Sequence, residues 1–292
     1  LTKEEGEIMP HSYLDFNIGW FAGHMWLDLV DDRNIDDVFV YTSRIREKNA
    51  NLKTRVTFNN QHWVSFRGNV EFKLFKWFPE ESCEPVFSKQ KSVILTVGKQ
   101  TIDYEFTIPF PKLWTPEDPH LYKVQVMLIY SLGNAMDDYV LTIGIRTISQ
   151  DGGSFRLNGE VYMANGAQIM GFKGPIEKLA TWARFAPDKW VAKELMMIKR
   201  MNGNFLRVHA HAWEFPARGI NDPTYAEMAD QLGVMLLWCP TAWIRTGRGW
   251  GDIDFEGYPK YMRQVYNHPS IIMWEAANHT QSFKSRDVTE SN

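Results

Sequence analysis

The spacing of apolar residues changes at Gly152-Gly153, and this change constrains the fold more than any other feature of the chain. Before it, apolar and polar residues alternate with a period of two, as from Ile102 to Ile108, which is typical of a strand with one buried face. After it, short apolar runs alternate with segments of helical periodicity. We therefore predict two regions of different fold class, which also suits a length of 292 residues.

The apolar pattern of the first region predicts about seven short strands between residues 35 and 148. Turn residues separate them, among them Asn59-Asn60, Pro79 and Gly133-Asn134. This spacing favours an immunoglobulin-like antiparallel β-sandwich, and a β-barrel is the alternative.

The pattern of the second region predicts four strand–helix units. Their parallel strands are expected at 161–167, 204–209, 234–239 and 271–277. Asp188 can cap a helix that places Val191, Leu195 and Ile198 on one face. Four such units make the N-terminal half of a (β/α)8 TIM barrel, and a small open sheet is the alternative. The fold class expected for the whole chain is thus a multidomain β plus α/β protein.

Composition excludes several classes of function. The formal net charge is −3, without the basic excess that nucleic-acid binding requires. No run of about 18 apolar residues is present, so no membrane span is predicted. Cys83 and Cys239 are expected to be free, buried thiols. The 12 Trp, 11 Tyr and 18 Phe are the one unusual feature, because flat aromatic rings also stack on sugars.

Several motifs, in order along the chain, resemble glycoside hydrolase family 2, which includes β-galactosidases, β-glucuronidases and β-mannosidases. The motifs are NIGW at 17–20, LWTPEDPHLY at 113–122, IGIRTI at 143–148, FRLNGE at 155–160, NFLR at 204–207 and NHPSIIMW at 267–274. The resemblance implies three domains: the tail of a jelly-roll sugar-binding domain at 1–30, the sandwich at 31–150 and half of the TIM-barrel catalytic domain at 151–292. It also implies that the family's nucleophilic Glu lies beyond Asn292, so we expect a fragment of a longer protein.

The resemblance places the catalytic acid/base at the end of the fourth barrel strand, where the family has Trp-x-x-x-Asn-Glu. This chain has His279 in place of the Glu, after Trp274 and Asn278. A neutral imidazole, with an ordinary pKa of about 6.5, can transfer protons; alternatively, the chemistry is lost and the site only binds. Glu275 is the candidate substitute, although its depth in the strand favours an ion pair inside the barrel. Asn278 is implied to bind a sugar hydroxyl.

Further substrate-binding candidates lie on the second strand and in the loop after the third. Arg207, His209 and His211 alternate along one strand face, and by resemblance Arg207 and His211 orient carboxylates and sugar hydroxyls. A plain core ion pair is the alternative for Arg207. Trp243 and Trp250 are expected to stack on sugar rings or simply to pack the loop. The spacing of the histidines is weak evidence for zinc, so we predict no metal or cofactor.

Two functions follow from the resemblance. The first is a family 2 glycoside hydrolase acting on β-linked sugars, and the second is a carbohydrate-binding pseudoenzyme on the same scaffold. The expected partners are a carbohydrate substrate and either the missing part of the same protein or a second copy of the chain. A protein that degrades glycans is expected to be exported to the periplasm or the cell exterior.

Overall fold

The computed structural model describes residues 29–130, 133–170, 188–209, 223–238 and 258–275. The described residues divide into two compact units. One unit, called here the sandwich unit, contains residues 29–163 together with Asn267–Pro269. The other, called the parallel unit, contains the remaining described residues from Ala164 onward.

Seven antiparallel strands form the two main sheets of the sandwich unit. They are β1 (Arg33–Arg46), β2 (Asn49–Asn60), β3 (Phe66–Phe78), β4 (Phe87–Leu95), β5 (Gly98–Pro109), β6 (Leu121–Tyr130) and β7 (Ala135–Ile143). One sheet has the order β1-β2-β5 and the other β4-β3-β6-β7. Alternate residues of both sheets, such as Val56 and Val126, meet in one apolar core. The predicted β-rich first region is confirmed.

A third, smaller sheet follows the sandwich strands. It consists of β8 (Ile148–Asp151), β9 (Ser154–Leu157) and β10 (Glu160–Val161), paired antiparallel. Asn158 and Gly159 form the tight turn between β9 and β10, with φ of 54° and 88°, a conformation that the Asn-Gly pair favours. The first parallel strand, predicted at 161–167, therefore starts later, at Gly166, because this turn folds Glu160 and Val161 back onto β9.

The parallel unit contains four parallel strands and three helices. The strands are β11 (Gly166–Met170), β12 (Phe205–His209), β13 (Met235–Trp238) and β14 (Ile271–Trp274), and the helices are α1 (Asp188–Arg200), α2 (Thr224–Leu232) and α3 (Tyr258–Arg263). The strands lie in sequence order, each parallel to the next. The predicted alternation of strands and helices is confirmed for the described residues.

The helices bury the faces that their sequences predict. Val191, Leu195 and Ile198 of α1 are buried against the strands, as their spacing indicated. α2 ends at Gly233, whose φ of 66° is left-handed, a conformation that glycine adopts at little cost. None of the helices described is long and apolar enough to cross a membrane.

Two further details concern the sandwich unit. Cys83 is a free thiol, but it is exposed rather than buried, because it lies in the surface loop between β3 and β4. Cys239 lies outside the described residues. The segment Asn267–Pro269 joins this unit through the Asn267 side chain, which accepts a hydrogen bond from the Val40 N–H (2.9 Å) and donates one to the Val38 carbonyl (2.8 Å).

Candidate functional site

Arg207 is the middle residue of β12, on the sheet face opposite the helices. Its strand neighbours Leu206 and Val208 are 2% and 1% exposed and belong to the core shared with α1 and α2. Because successive side chains of a strand point to opposite faces, Arg207 is directed away from this core. It keeps 25% of its side chain accessible to solvent.

Glu275 follows β14 directly and forms a bidentate ion pair with Arg207. Arg207 Nε donates to Oε2 of Glu275 at 2.9 Å, and Nη2 donates to Oε1 at 2.5 Å. The Glu275 side chain is only 7% exposed, so the carboxylate depends on the guanidinium to compensate its lost hydration. Two parallel N–H···O bonds also fix the plane of the guanidinium.

Gln168 completes this group from the neighbouring strand. In the register of the sheet it lies beside Arg207, and its Oε1 accepts a hydrogen bond from Arg207 Nη1 at 2.6 Å. Gln168 itself is exposed. The guanidinium is thus held by a buried carboxylate on one side and by an exposed amide on the other.

The register of the sheet shows which residues share the face with this group. Arg207 lies beside Leu237 of β13, and Leu237 lies beside Met273 of β14. Leu237 is partly buried, and Met273 is 40% exposed. This face of the sheet therefore carries a fixed charged group with apolar side chains next to it. Such a combination suits ligands that have both polar and apolar surfaces.

Most of the predicted site residues lie outside the described part of the chain. His211, Trp243, Trp250, Asn278 and His279 all fall there. For His209 the structure describes the backbone only, at the end of β12. The convergence of these residues with Arg207 therefore remains a prediction. The structure brings together two of the predicted residues, Arg207 and Glu275.

The sequence interpretation missed Gln168. With the first parallel strand expected at 161–167, Gln168 fell beyond it. In the structure β11 starts at Gly166, where any side chain would collide with the backbone of Phe205. Gly166 was the available signal in the sequence. A glycine inside a strand often marks a close approach to a neighbouring backbone, which would have placed the strand around residue 166.

A second polar group lies between α1 and α2, on the helix side of the sheet. Glu194 accepts hydrogen bonds from the Tyr225 hydroxyl at 2.5 Å and from Trp190 Nε1 at 3.1 Å. Burial raises the pKa of Glu194, and the two hydrogen bonds lower it by a smaller amount. Glu194 also lines a cavity of about 410 Å³ that lies between α1 and β11 and includes Gln168, Trp190 and Met197.

The described side chains contain no group of three or more His, Cys, Asp or Glu residues placed to hold a metal ion. On the sheet face opposite the helices, the described residues place one arginine, Arg207, whose guanidinium is already held in a fixed orientation. Such a group binds and orients oxygen atoms of a ligand or of another carboxylate.

Two solved structures of glycosyl hydrolases share the fold of the chain. A family 2 glycosyl hydrolase from Bacteroides cellulosilyticus superimposes with a TM-score of 0.71 and 20% identity, over 90% of this chain and 34% of its own. The Bacteroides uniformis β-glucuronidase superimposes with a TM-score of 0.65 and 23% identity, over 88% of this chain and 31% of its own.

Sequence comparison finds similarity to one family of enzymes. Residues 34–146 match the family model for glycosyl hydrolases family 2. A putative β-glucuronidase of Formosa agariphila is 28% identical over 93% of this chain, and a β-galactosidase of Thermoanaerobacter pseudethanolicus is 23% identical over 94%. The chain is therefore similar to members of glycosyl hydrolase family 2. It spans about a third of the length of these two relatives, 31% and 34%.

Proposed function

We propose that the chain is part of a family 2 glycoside hydrolase that acts on β-linked sugars. The observation that carries the proposal is the similarity to a putative β-glucuronidase and a β-galactosidase along 93% and 94% of this chain. The Arg207–Glu275 ion pair supports it, because Glu275 directly follows β14 and the carboxyl ends of the strands carry the active site in a strand–helix barrel.

The proposal includes the finer features of the fold. The strand orders β1-β2-β5 and β4-β3-β6-β7 support a sandwich of immunoglobulin type. Four parallel strands in sequence order support the first half of a TIM barrel. In this proposal residues 1–30 end a jelly-roll domain, 31–150 form the sandwich domain and 151–292 begin the catalytic domain.

In the proposed site Arg207 orients the reacting groups, and Glu275 positions Arg207. The bidentate pair and the low exposure of Glu275 favour this positioning role over proton transfer by Glu275. His279 then stands at the acid/base position, and Asn278 binds a sugar hydroxyl. The sugar is surrounded by His211, Trp243 and Trp250. A retaining mechanism also needs a nucleophilic carboxylate about 5–5.5 Å from the acid/base. That carboxylate is proposed to come from the longer protein.

The second candidate function is a carbohydrate-binding pseudoenzyme. The observation that favours it is His279 at the position where the family has its acid/base Glu. An imidazole in place of the carboxyl group removes the pair of carboxyl groups on which retaining hydrolysis depends.

The test is hydrolysis of nitrophenyl β-galactoside, β-glucuronide and β-mannoside by residues 1–292 and by the longer protein. We expect no turnover by residues 1–292 and turnover of at least one substrate by the longer protein. If the longer protein is inactive, the variant His279→Glu decides between the two functions. Activity recovered by this variant would identify a pseudoenzyme that lacks only the acid/base carboxyl group. Turnover by residues 1–292 that disappears in His279→Ala would contradict the proposed site.

A further inference from the structure

The loop between β2 and β3 presents the most exposed tryptophan of the described residues. The Trp63 side chain is 82% exposed, whereas Trp114 and Trp238 are buried at 0% and 1%. An indole offers a large apolar surface, and leaving it in water forgoes a substantial gain from burial. The loop that carries Trp63 is consequently of interest as a binding surface.

A buried amide holds this loop in one conformation. Asn60 is 0% exposed, and its Nδ2 donates to the carbonyls of Val64 (3.0 Å) and Thr96 (3.1 Å). Its Oδ1 accepts a hydrogen bond from the His62 N–H at 3.2 Å. These bonds fix both ends of the segment that contains Trp63. Little conformational entropy would therefore be lost if this segment contacted a ligand.

The imidazole of His62 extends the surface of the indole. The two rings stack with centroids 5.6 Å apart and an interplanar angle of 24°. The Val64 N–H donates to His62 Nδ1 at 3.4 Å, so the neutral ring carries its proton on Nε2. The pair thus combines flat aromatic faces with a hydrogen-bond donor at the edge.

The size and surroundings of this ring pair favour a sugar over a protein. Gln61, Ser65 and Arg67, which flank it in sequence, are all exposed polar residues. A stable protein interface needs roughly 800 Å² per partner with an apolar centre, which one indole among polar neighbours does not supply. A pyranose ring has one face of C–H groups, which the negative face of an aromatic ring attracts, and hydroxyls at its rim that accept hydrogen bonds.

We propose that His62 and Trp63 form a carbohydrate-binding platform in which the indole stacks on a pyranose ring of a glycan chain and His62 Nε2 donates to a ring hydroxyl. The platform belongs to the sandwich unit, whereas Arg207 and Glu275 belong to the parallel unit. Only the choice of a sugar as ligand rests in part on the function proposed above. The test therefore measures binding rather than turnover, so that a failure of one proposal is distinguishable from a failure of the other.

The experiment is affinity electrophoresis of the 292-residue chain through gels that contain soluble galactan or glucuronoxylan. We expect retardation by at least one polysaccharide and a loss of roughly fivefold or more in apparent affinity for Trp63→Ala, the worth of one aromatic contact. Trp63→Phe, which keeps a smaller ring, should retain part of the affinity. His62→Ala should lose less than Trp63→Ala.

Trp77→Ala is the matched control. Trp77 is 36% exposed in the same unit, but Lys123 Nζ lies 4.6 Å from its ring centroid and covers one face. Its removal should leave the retardation unchanged. The proposal is overturned if neither polysaccharide retards the chain, or if Trp63→Ala is retarded as strongly as the parent. Self-association that sedimentation shows to disappear in Trp63→Ala would also overturn it, because the ring would then contact a second copy.

Discussion

At the scale of single residues, the Arg207–Glu275 pair stands out because one partner is almost fully buried. A carboxylate that is 7% exposed has lost most of its hydration, and the two hydrogen bonds from Arg207 replace it. Such a pair adds little stability compared with apolar residues of the same volume. Removal of Arg207, in contrast, takes two charge-assisted hydrogen bonds away from a buried carboxylate, which is costly.

We therefore expect Arg207→Ala to lower the free energy of unfolding by roughly 3 kcal/mol, the usual cost of breaking a buried pair. The double variant Arg207→Met, Glu275→Leu should recover most of this loss, because it removes both charges. Urea unfolding followed by circular dichroism measures both values.

The exposed pair Arg55–Asp103 serves as the control. Its side chains are 55% and 70% exposed, so Arg55→Ala should cost less than about 1 kcal/mol. If Arg207→Ala costs no more than Arg55→Ala, the guanidinium does not compensate Glu275 in the way described.

The sequence could predict that Arg207 and Glu275 face the same side of the sheet, because strand periodicity determines this. It could not predict that they pair, because the contact crosses β13 and depends on the register of three strands. Gln168 was missed for the same reason. Its contact with Arg207 requires β11 to start at Gly166, and local alternation does not specify that register.

At the scale of secondary-structure elements, Glu194 connects two helices. It lies on α1, and the hydroxyl that bonds to it belongs to Tyr225 on α2, which is 1% exposed. Burial raises the pKa of Glu194 above its ordinary value of 4.5. The folded protein therefore favours the protonated carboxyl group more than the unfolded chain does.

This pKa shift predicts the sign of a pH dependence. The stabilisation associated with the protonated group is fully present below pH 4.5 and is lost as the pH rises through the folded-state pKa. Glu194→Gln cannot ionise, so its unfolding free energy relative to the parent should increase between about pH 4 and about pH 7. Urea unfolding at a series of pH values measures this difference.

Glu227→Gln is the matched control, since Glu227 is an exposed carboxylate near the start of α2. It removes the same charge without a buried site, so its difference from the parent should vary less with pH. If the difference in unfolding free energy between Glu194→Gln and the parent is the same at every pH, the raised pKa of Glu194 is contradicted.

Helix positions were predictable because the buried face of α1 follows from the spacing of Val191, Leu195 and Ile198. The first parallel strand was not, because it was expected directly after the motif at 155–160, whereas the turn at Asn158 and Gly159 belongs to the small antiparallel sheet. The Asn158 side chain holds the turn in place: its Oδ1 accepts from the Thr147 N–H at 3.0 Å and its Nδ2 donates to the Trp114 carbonyl at 3.1 Å. These long-range bonds are invisible to a local pattern.

At the scale of the whole molecule, the described residues contain two separate apolar cores. One is formed by the two sheets of the sandwich unit and the other by the helices and strands of the parallel unit, and no residue belongs to both. Each core is a candidate for a cooperative unit of unfolding in its own right.

We expect calorimetry to resolve two unfolding transitions. Val126→Ala should lower the midpoint of one by roughly 10 °C, and Leu195→Ala should lower the other, since each substitution leaves a cavity in a different core. A single transition that both substitutions shift equally would contradict this expectation. The change of pattern at Gly152-Gly153 had indicated two regions of different class; in the structure the described residues form one antiparallel unit and one unit of parallel strands with helices.

The placement of Asn267–Pro269 in the sandwich unit has a consequence for recombination between genes. A continuous stretch of coding sequence for residues 29–163 would omit Asn267, whose amide bonds to the backbone of Val38 and Val40 on β1. It would also omit Pro269, whose carbonyl accepts a hydrogen bond from Arg146 Nε at 2.6 Å. Gene shuffling that exchanged this stretch alone would therefore separate β1 from Asn267 and Arg146 from Pro269, although both partners are encoded more than a hundred codons downstream of residue 163. Chimeras that also exchange the codons for 267–269 should be recovered in folded form more often than those that do not.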